Sequence, residues 1–287
     1  MIGGISGYPR PVTVIPGAGG TLSAAVTFVG NATTVLRLGG FTVLTDPAFG
    51  PAGSRVSLGY GMWTRRVKDP ALDVLDLSAL DGMVLSHLHG DHLDRFALAR
   101  LPESLPILTT PQAQRRLRRT RLTAVQALPT WESHEWDRGD QRLRVTAVPG
   151  RHGPGFADRL LPDVMGSVIE LETGARCRLR LYITGDTLYG PHLSEIPRRF
   201  GEIDVMIIHL GGTKVLGLLV TMDGRQGVET THLIRPDLTV PIHYDDYKVQ
   251  KSPLSDYLDR ARDQGLTSIE PINRGATVAL PIRAART

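Results

Sequence analysis

The chain has 287 residues, 41% of them hydrophobic and 22% charged, with a net charge of +4 at pH 7. These values exclude collagen-like, low-complexity and long coiled-coil chains, and they fit a globular protein able to bury a large core. Its single cysteine, Cys177, excludes an intrachain disulfide, and no apolar stretch approaches the ~20 residues a membrane-spanning helix needs.

Residues 1–22 are rich in Gly and Pro and predict an irregular segment. They carry no basic stretch followed by an apolar one, so no secretory leader is read there. With one cysteine, a reducing, cytoplasmic setting is expected. Three apolar runs follow, Val26–Val29, Thr34–Leu38 and Phe41–Thr45, and Gly39-Gly40 between the last two signals a two-residue hairpin. Residues 50–75 show weak periodicity and predict a long loop or lid. A short buried strand is expected at 83–86, a helix from about Asp91 to Leu101, and a strand at 107–110. Pro111 then opens a helix carrying "QRRLRRTRL", residues 114–122. Those arginines suit a phosphate or nucleic-acid patch or a solvated helix face. The second reading is preferred, since no aromatic residues interleave with them as a stacking platform requires.

Four strands are expected next, in "LRVTAVPG", "GSVIELE", "RLRLYITGD" and "DVMIIHLGG". A helix in "RQGVETTHLIRP", a strand in "TVPIHYDD", a helix from 252 to 265 and a closing strand in "ATVALPI" complete the chain. Ser252 is the expected N-cap of that last helix, Pro253 its first residue and Gly265 its stop. No repeat and no linker interrupts this order, so one α+β domain is expected over 1–287, with sheets packed on each other and helices outside.

The chemistry concentrates in "SHLHGDHLD", which holds three of the nine histidines and two aspartates. Alternation along extended backbone turns His87 and His89 to one side, where both reach one ion. Gly90 redirects the chain, so Asp91 and His92 can face a second. Imidazole and carboxylate together suit Zn, with Mn or Fe as alternatives. His152, Asp186 and His243 each follow an apolar strand, where a scaffold holds a side chain rigidly over a cleft. Five histidines and two aspartates make a complete two-metal set.

"SHLHGDH" resembles the HxHxDH motif of the metallo-β-lactamase superfamily, and "YITGDT", "PGRH" and "PIHY" resemble its other ligand segments. "FVGNATTVLRLGGFTVLTDP" is similar to the first hairpin of the branch containing ascorbate-6-phosphate lactonase-like and N-acyl-phosphatidylethanolamine phospholipase D-like proteins. The resemblance implies a four-layer αββα sandwich with the metals at one edge. It implies one site of His87, His89 and His152, a second of Asp91, His92 and His243, and Asp186 bridging them. It further implies hydrolysis of a small ester, lactone or phosphodiester.

Two adjacent divalent ions make hydroxide available at neutral pH, so no Ser-His or Cys-His pair is required. Asp91 and Asp186 therefore stand as catalytic candidates. His209, ending the run "MIIH", is a candidate proton donor or substrate contact. Asp46 is a candidate acceptor for the spare N–H of a ligand histidine. Lys214 and Tyr244 are candidate contacts for an anionic small-molecule substrate. His134, His192 and His232 are read as structural, and Cys177 as a strand residue. Only 59 residues separate His92 from His152 and 56 separate Asp186 from His243. That spacing leaves no room for the large clamp of a nuclease, so nucleic acid is not the expected partner. A diiron redox protein would need a further donor domain. No amphipathic basic segment rich in Trp and Leu is found to lie on a bilayer, and a homo-oligomer is compatible with the sequence.

Overall fold

Long apolar runs with no polar alternation imply strands buried on both faces, and a computed structural model of the protein places them so. It describes residues 22–59, 61–73, 77 and 79–284. The segment expected to be irregular, 1–22, lies outside them apart from Leu22.

The first sheet contains β1 (Ala24–Gly30), β2 (Thr33–Leu38), β3 (Phe41–Thr45), β6 (Gly82–Leu85), β7 (Ile107–Thr109), β8 (Val125–Ala127) and β17 (Thr277–Ala279), in the order β17-β1-β2-β3-β6-β7-β8. The second contains β9 (Ser133–Arg138), β10 (Gln141–Pro149), β11 (Met165–Thr173), β12 (Arg176–Ile183), β13 (Val205–His209) and β16 (Leu238–Ile242), in the order β16-β13-β12-β11-β10-β9. Pro241 lacks a donor and sits in an edge strand, where none is needed on the outer side. Gly39, at φ 57°, turns the β2–β3 hairpin.

Side-chain alternation sorts each strand's residues between two cores. Val26, Phe28, Leu36 and Val43 from the first sheet meet Leu179, Leu181, Val205, Ile207 and Val240 from the second. The opposite faces take the helices. Val35, Leu44, Met83 and Leu85 pack against α1 (Arg95–Arg100) and α2 (Pro111–Leu117) through Ala97, Leu101 and Leu117. Tyr182, Met206 and Ile208 pack against α3 (Glu195–Phe200), α4 (Gly224–Ile234) and α5 (Leu254–Asp263) through Ile196, Val228 and Tyr257. This is the expected four-layer α+β sandwich.

Several local expectations are corrected. The helix expected from Asp91 starts at Arg95, because Asp91–Leu93 form a turn and Asp94 caps the helix by accepting from the Ala97 N–H. Pro253, not Ser252, occupies the N-cap position of α5. Ser252 instead accepts from the Gly224 N–H at 3.0 Å and donates to Asp256. Within the stretch read as a loop or lid lies a hairpin, β4 (Arg55–Gly59) and β5 (Met62–Arg65). A second small hairpin, β14 (Lys214–Val215) and β15 (Leu218–Leu219), was not expected, nor were β8, β9 and α3. The helix expected to carry the arginine cluster ends at Leu117, so only Arg115 and Arg116 lie in α2, both facing solvent, while Arg121 beyond it donates to Leu101 O. Among the described residues no helix is long and apolar enough to cross a membrane.

Leu181 is fully buried between the two sheets. Leu181→Ala is expected to cost ~2–5 kcal/mol of unfolding free energy by urea titration, whereas Leu218→Ala, on an exposed hairpin, should change it by ~0.5 kcal/mol or less.

Candidate metal centre

Strands β3, β6, β7 and β8 run parallel, as do β12, β13 and β16. β10 shares the direction of β12, because each is antiparallel to β11. The C-terminal ends of these strands therefore meet at one edge, where open sheets leave room for ligands. Asp46 follows β3, His87 follows β6, His152 follows β10, Asp186 follows β12, His209 ends β13 and His243 follows β16.

The backbone at this edge is bent to suit. Asn31, Asp46 and His243 hold φ of 50°, 37° and 63°, half of the six non-glycine residues with positive φ among those described. Such conformations cost of order 1–3 kcal/mol each and persist where surrounding bonds over-determine them. The bonds are present. Asp46 N donates to Val84 O, Thr33 Oγ1 to Asp46 O, and His243 N to Asn31 O. Asn31 Nδ2 in turn donates to Asp91 O at 2.8 Å.

The structure brings together all seven sequence-predicted ligands. In one group, His89 Nδ1 lies 3.0 Å from His87 Nε2 and 3.1 Å from His152 Nε2. In the other, His243 Nε2 lies 3.4 Å from Asp91 Oδ2, and His92 Nε2 lies 3.9 Å from the same oxygen. Asp186 stands between the groups. Its Oδ2 is 3.2 Å from His92 Nε2, its Oδ1 is 3.7 Å from His243 Nε2, and it also clusters with His87. None of the seven is more than 7% exposed.

Tautomers are set from behind. His152 Nδ1–H donates to Val220 O at 2.9 Å, and His243 Nδ1–H to Leu210 O at 3.1 Å, so both rings turn Nε2 inward, and in the neutral form that nitrogen carries the lone pair. Asp46 Oδ2 lies 3.1 Å from His92 Nδ1, while Asp46 Oδ1 accepts from the Ser86 N–H. The carboxylate expected to orient a ligand histidine thus touches His92, one of the expected ligands. His209 is also buried here, ring-stacked on His92, with Nδ1 against Thr184 Oγ1 and Nε2 3.6 Å from Asp46 Oδ2. It lies behind His92 and is not among the residues lining the cleft.

The cleft at this edge is lined by His89, Asp91, His152, Asp186 and His243, with Leu58, Leu161, Thr213, Val215, Val220, Thr221 and Val249 around them. Lys214 stands outside it, in a neighbouring basic pocket. Tyr244 packs against Phe28, with burial and the Asp245 charge pushing its hydroxyl up to about 12. His134 packs edge-on to Trp136, His192 bonds Thr187, and His232 bonds Gln264, all outside the cluster. Cys177 lies in β12. Sequence reasoning missed Asn31, whose only signal was its place in the first hairpin turn.

The donor chemistry fits metal ions. His92 Nε2, Asp91 Oδ1 and Asp186 Oδ1 are buried and make no hydrogen bond. A cation between converging lone pairs satisfies donors that a shared proton can serve only singly. The protonation directions report the same demand. Burial, then the charge of neighbouring His92, holds His87 well below the usual imidazole range, and burial with His152 takes His89 to about 3. Burial also disfavours charge on His92, yet the carboxylates of Asp186, Asp46 and Asp91 raise it well above its usual value. Burial would raise Asp91 and Asp186, but His92 and His243 hold Asp91 at about 2 and Asp186 well below the carboxylate range. Buried carboxylates here require positive charge, and protons supply it in the absence of metal.

The description "Beta-lactamase superfamily domain" matches residues 42–244, which carry the whole cluster. The chain belongs to the metallo-β-lactamase superfamily. It is a metal-dependent hydrolase of that superfamily. An N-acyl-phosphatidylethanolamine-hydrolyzing phospholipase D of Caenorhabditis elegans is 23% identical over 87% of this chain and 74% of its own length. A metal-dependent hydrolase of Carboxydothermus hydrogenoformans is 25% identical over 70% of this chain and 82% of its own. The crystal structure of an isothiocyanate hydrolase from Delia radicum gut bacteria shares the fold, with a TM-score of 0.76 and 21% identity over 90% of this chain and 99% of that one.

Beneath the site, Asp246 accepts from Arg66 at 3.0 Å, from Arg274 at 2.8 and 2.9 Å, and from the Asn31 N–H at 2.6 Å. Burial would raise its carboxyl, but Arg274 and Arg66 outweigh this and hold it below its usual value. A carboxyl depressed in the folded state adds stability above its unfolded pKa of about 3.8 and loses it as pH falls through the folded value. Asp246→Asn should therefore lower stability by ~3–5 kcal/mol at pH 7. The loss should shrink below about pH 4. Urea unfolding at pH 7 and pH 3 checks this, and an equal loss at both would contradict it.

Proposed function

We propose that the protein is a dinuclear hydrolase that cleaves a small ester, lactone or phosphodiester. The observation carrying this reading is the position of Asp186, within 4.8 Å of donor atoms from His87 on one side and His92 on the other. The donor groups proposed are His87, His89 and His152 for one ion, and Asp91, His92 and His243 for the other, with Asp186 shared. Zn is the ion favoured by this imidazole-rich set, with Mn or Fe as alternatives.

Two divalent ions, when bound, provide hydroxide at neutral pH and draw electrons from the bond to be broken. The chain's own residues do the rest. The Val220 and Leu210 carbonyls and the Asp46 carboxylate fix which nitrogen His152, His243 and His92 present. Asp91 and Asp186 line the cleft as carboxylates, kept ionised by His92 and His243, and are assigned to orienting the attacking water by accepting a hydrogen bond from it. Leu58, Leu161, Val215 and Val220 exclude bulk water around the reacting bond. His209, stacked behind His92, is assigned to holding Asp46 rather than to touching substrate.

The relatives act on different substrates by name, N-acyl-phosphatidylethanolamine for the worm enzyme and an isothiocyanate for the bacterial one, which supports one fold serving different pockets. A single folded unit is also proposed, since one core joins Ala24 of the first strand to Leu280 near the last.

Elemental analysis should find two divalent ions per chain, and a screen of lactone, phosphodiester and thioester substrates should find turnover that His87→Ala/His89→Ala abolishes. If Asp186→Ala leaves metal content and turnover unchanged, the shared-ligand role is wrong. Asp46→Asn should weaken metal retention ~10–100-fold by chelator competition, with the fold intact by circular dichroism.

A further inference from the structure

Outside the cleft, one pocket has four cations among its seven lining residues. It is lined by Trp63, Thr64 and Arg65 from β5, Lys214 from β14, and Lys248, Val249 and Lys251 from the loop after β16, around about 810 Å³ of open space. The four basic side chains are exposed. Among the described residues no carboxylate pairs with any of them, whereas nearby Lys68 is paired with Asp245. Four like charges on three separate segments repel one another, and folding brings them together without an acid to offset them.

The pocket is tied rigidly to the metal-ligand cluster. Residues 243–251 begin with His243 and run on to Lys251. Val249 lines both the cleft and the basic pocket. Arg66 and Tyr247 pair as an antiparallel bridge, and Lys248 N donates to Arg65 O, so β5 and this loop hold Arg65 beside Lys248. Lys251 N donates to Gly211 O at 2.7 Å. Gln250 accepts from the Asp246 and Tyr247 N–H groups and donates to Asn31 Oδ1 at 2.8 Å, and Asn31 holds Asp91. Trp63, 54% exposed, offers a broad apolar wall, with the Arg55 guanidinium 4.3 Å from its ring centre. A loop that positions a ligand histidine at one end and two lysines at the other fixes the distance between cleft and pocket.

We propose that this pocket binds the anionic end of the substrate, a group with at least two negative charges such as a phosphate monoester or a dicarboxylate, while the bond to be cleaved lies over the metal centre. The proposal rests on the hydrolase reading above and names its substrate class. An open, four-cation pocket one residue from the cleft wall suits a small molecule spanning both. By contrast, the cavity that Arg116 of α2 lines gathers one further arginine, Arg159, in place of four cations.

The test has two arms on metal-loaded protein. In calorimetric titration with inorganic phosphate and, separately, malonate, at least one should bind. Lys248→Ala/Lys251→Ala should weaken that binding tenfold or more, and raising the salt should weaken it in wild type. The stronger of the two anions identifies the group as phosphoryl or carboxyl. In the second arm, two esters with the same leaving group are compared, one with a neutral and one with a dianionic acyl end. The dianionic ester should have the lower KM, and the ratio of the two KM values should approach one in the double variant. If neither ester turns over but anion binding still depends on Lys248 and Lys251, the hydrolytic reading fails and the pocket stands. If hydrolysis occurs while neither anion affinity nor the KM ratio responds to the double variant, the pocket proposal is overturned and the hydrolase reading survives. Thermal melting of the double variant distinguishes lost binding from lost fold, and Lys214→Ala supplies an independent second variant with the same expected direction.

Discussion

Three carboxylates, Asp46, Asp91 and Asp186, share a nearly dry volume with six imidazoles, and the electrostatics of that arrangement govern the rest of the edge where the two sheets meet. Isolated buried carboxylates are prohibitively expensive, so the cluster must contain positive charge. Protonated His92 and His243 can provide some of it. Yet carboxylate oxygens of Asp91 and Asp186 remain buried without hydrogen bonds, and divalent ions would satisfy them together with the imidazoles. Every nearby feature is organised around keeping these groups in place against their mutual repulsion.

Sandwich architecture makes that possible. Apolar strands buried on both faces give the strand ends little freedom, and the shared direction of β3, β6, β10, β12, β13 and β16 delivers their C-terminal residues to one edge. Around it, three strained backbone positions re-aim the chain just past the strands. Arg66 and Arg274 neutralise Asp246, Asp246 holds Asn31, and Asn31 grips both Asp91 and His243 through the backbone. A polar network beneath the site thus transmits the rigidity of the fold to two of the groups that face the cleft.

The legibility of this protein in its sequence was uneven. The ligand cluster was readable because histidines crowded at the end of an apolar run have few other uses, and because His152, Asp186 and His243 each follow a similar run. The long strands were readable from their apolar content. Short polar elements were not. β9, "SHEWDR", carries four charged or imidazole residues in six and pairs at a sheet edge, where only a half-buried Trp136 reports the core. The β4–β5 hairpin covers the cleft with few apolar residues, so nothing in its pattern distinguishes it from a loop.

The sequence by itself determined which histidines and aspartates stand at the strand ends, the two-sheet composition and the family, because local residue chemistry and apolar periodicity carry that information along the chain. Tertiary structure alone decided that Asp46 backs His92, that His209 lies behind the cluster and not in the cleft, and that Asn31 links two ligand segments. It alone gathered Arg65, Lys214, Lys248 and Lys251 around one pocket. Those residues lie up to 186 positions apart and leave no periodic trace, so only the packing of strand ends and loops sets their distances.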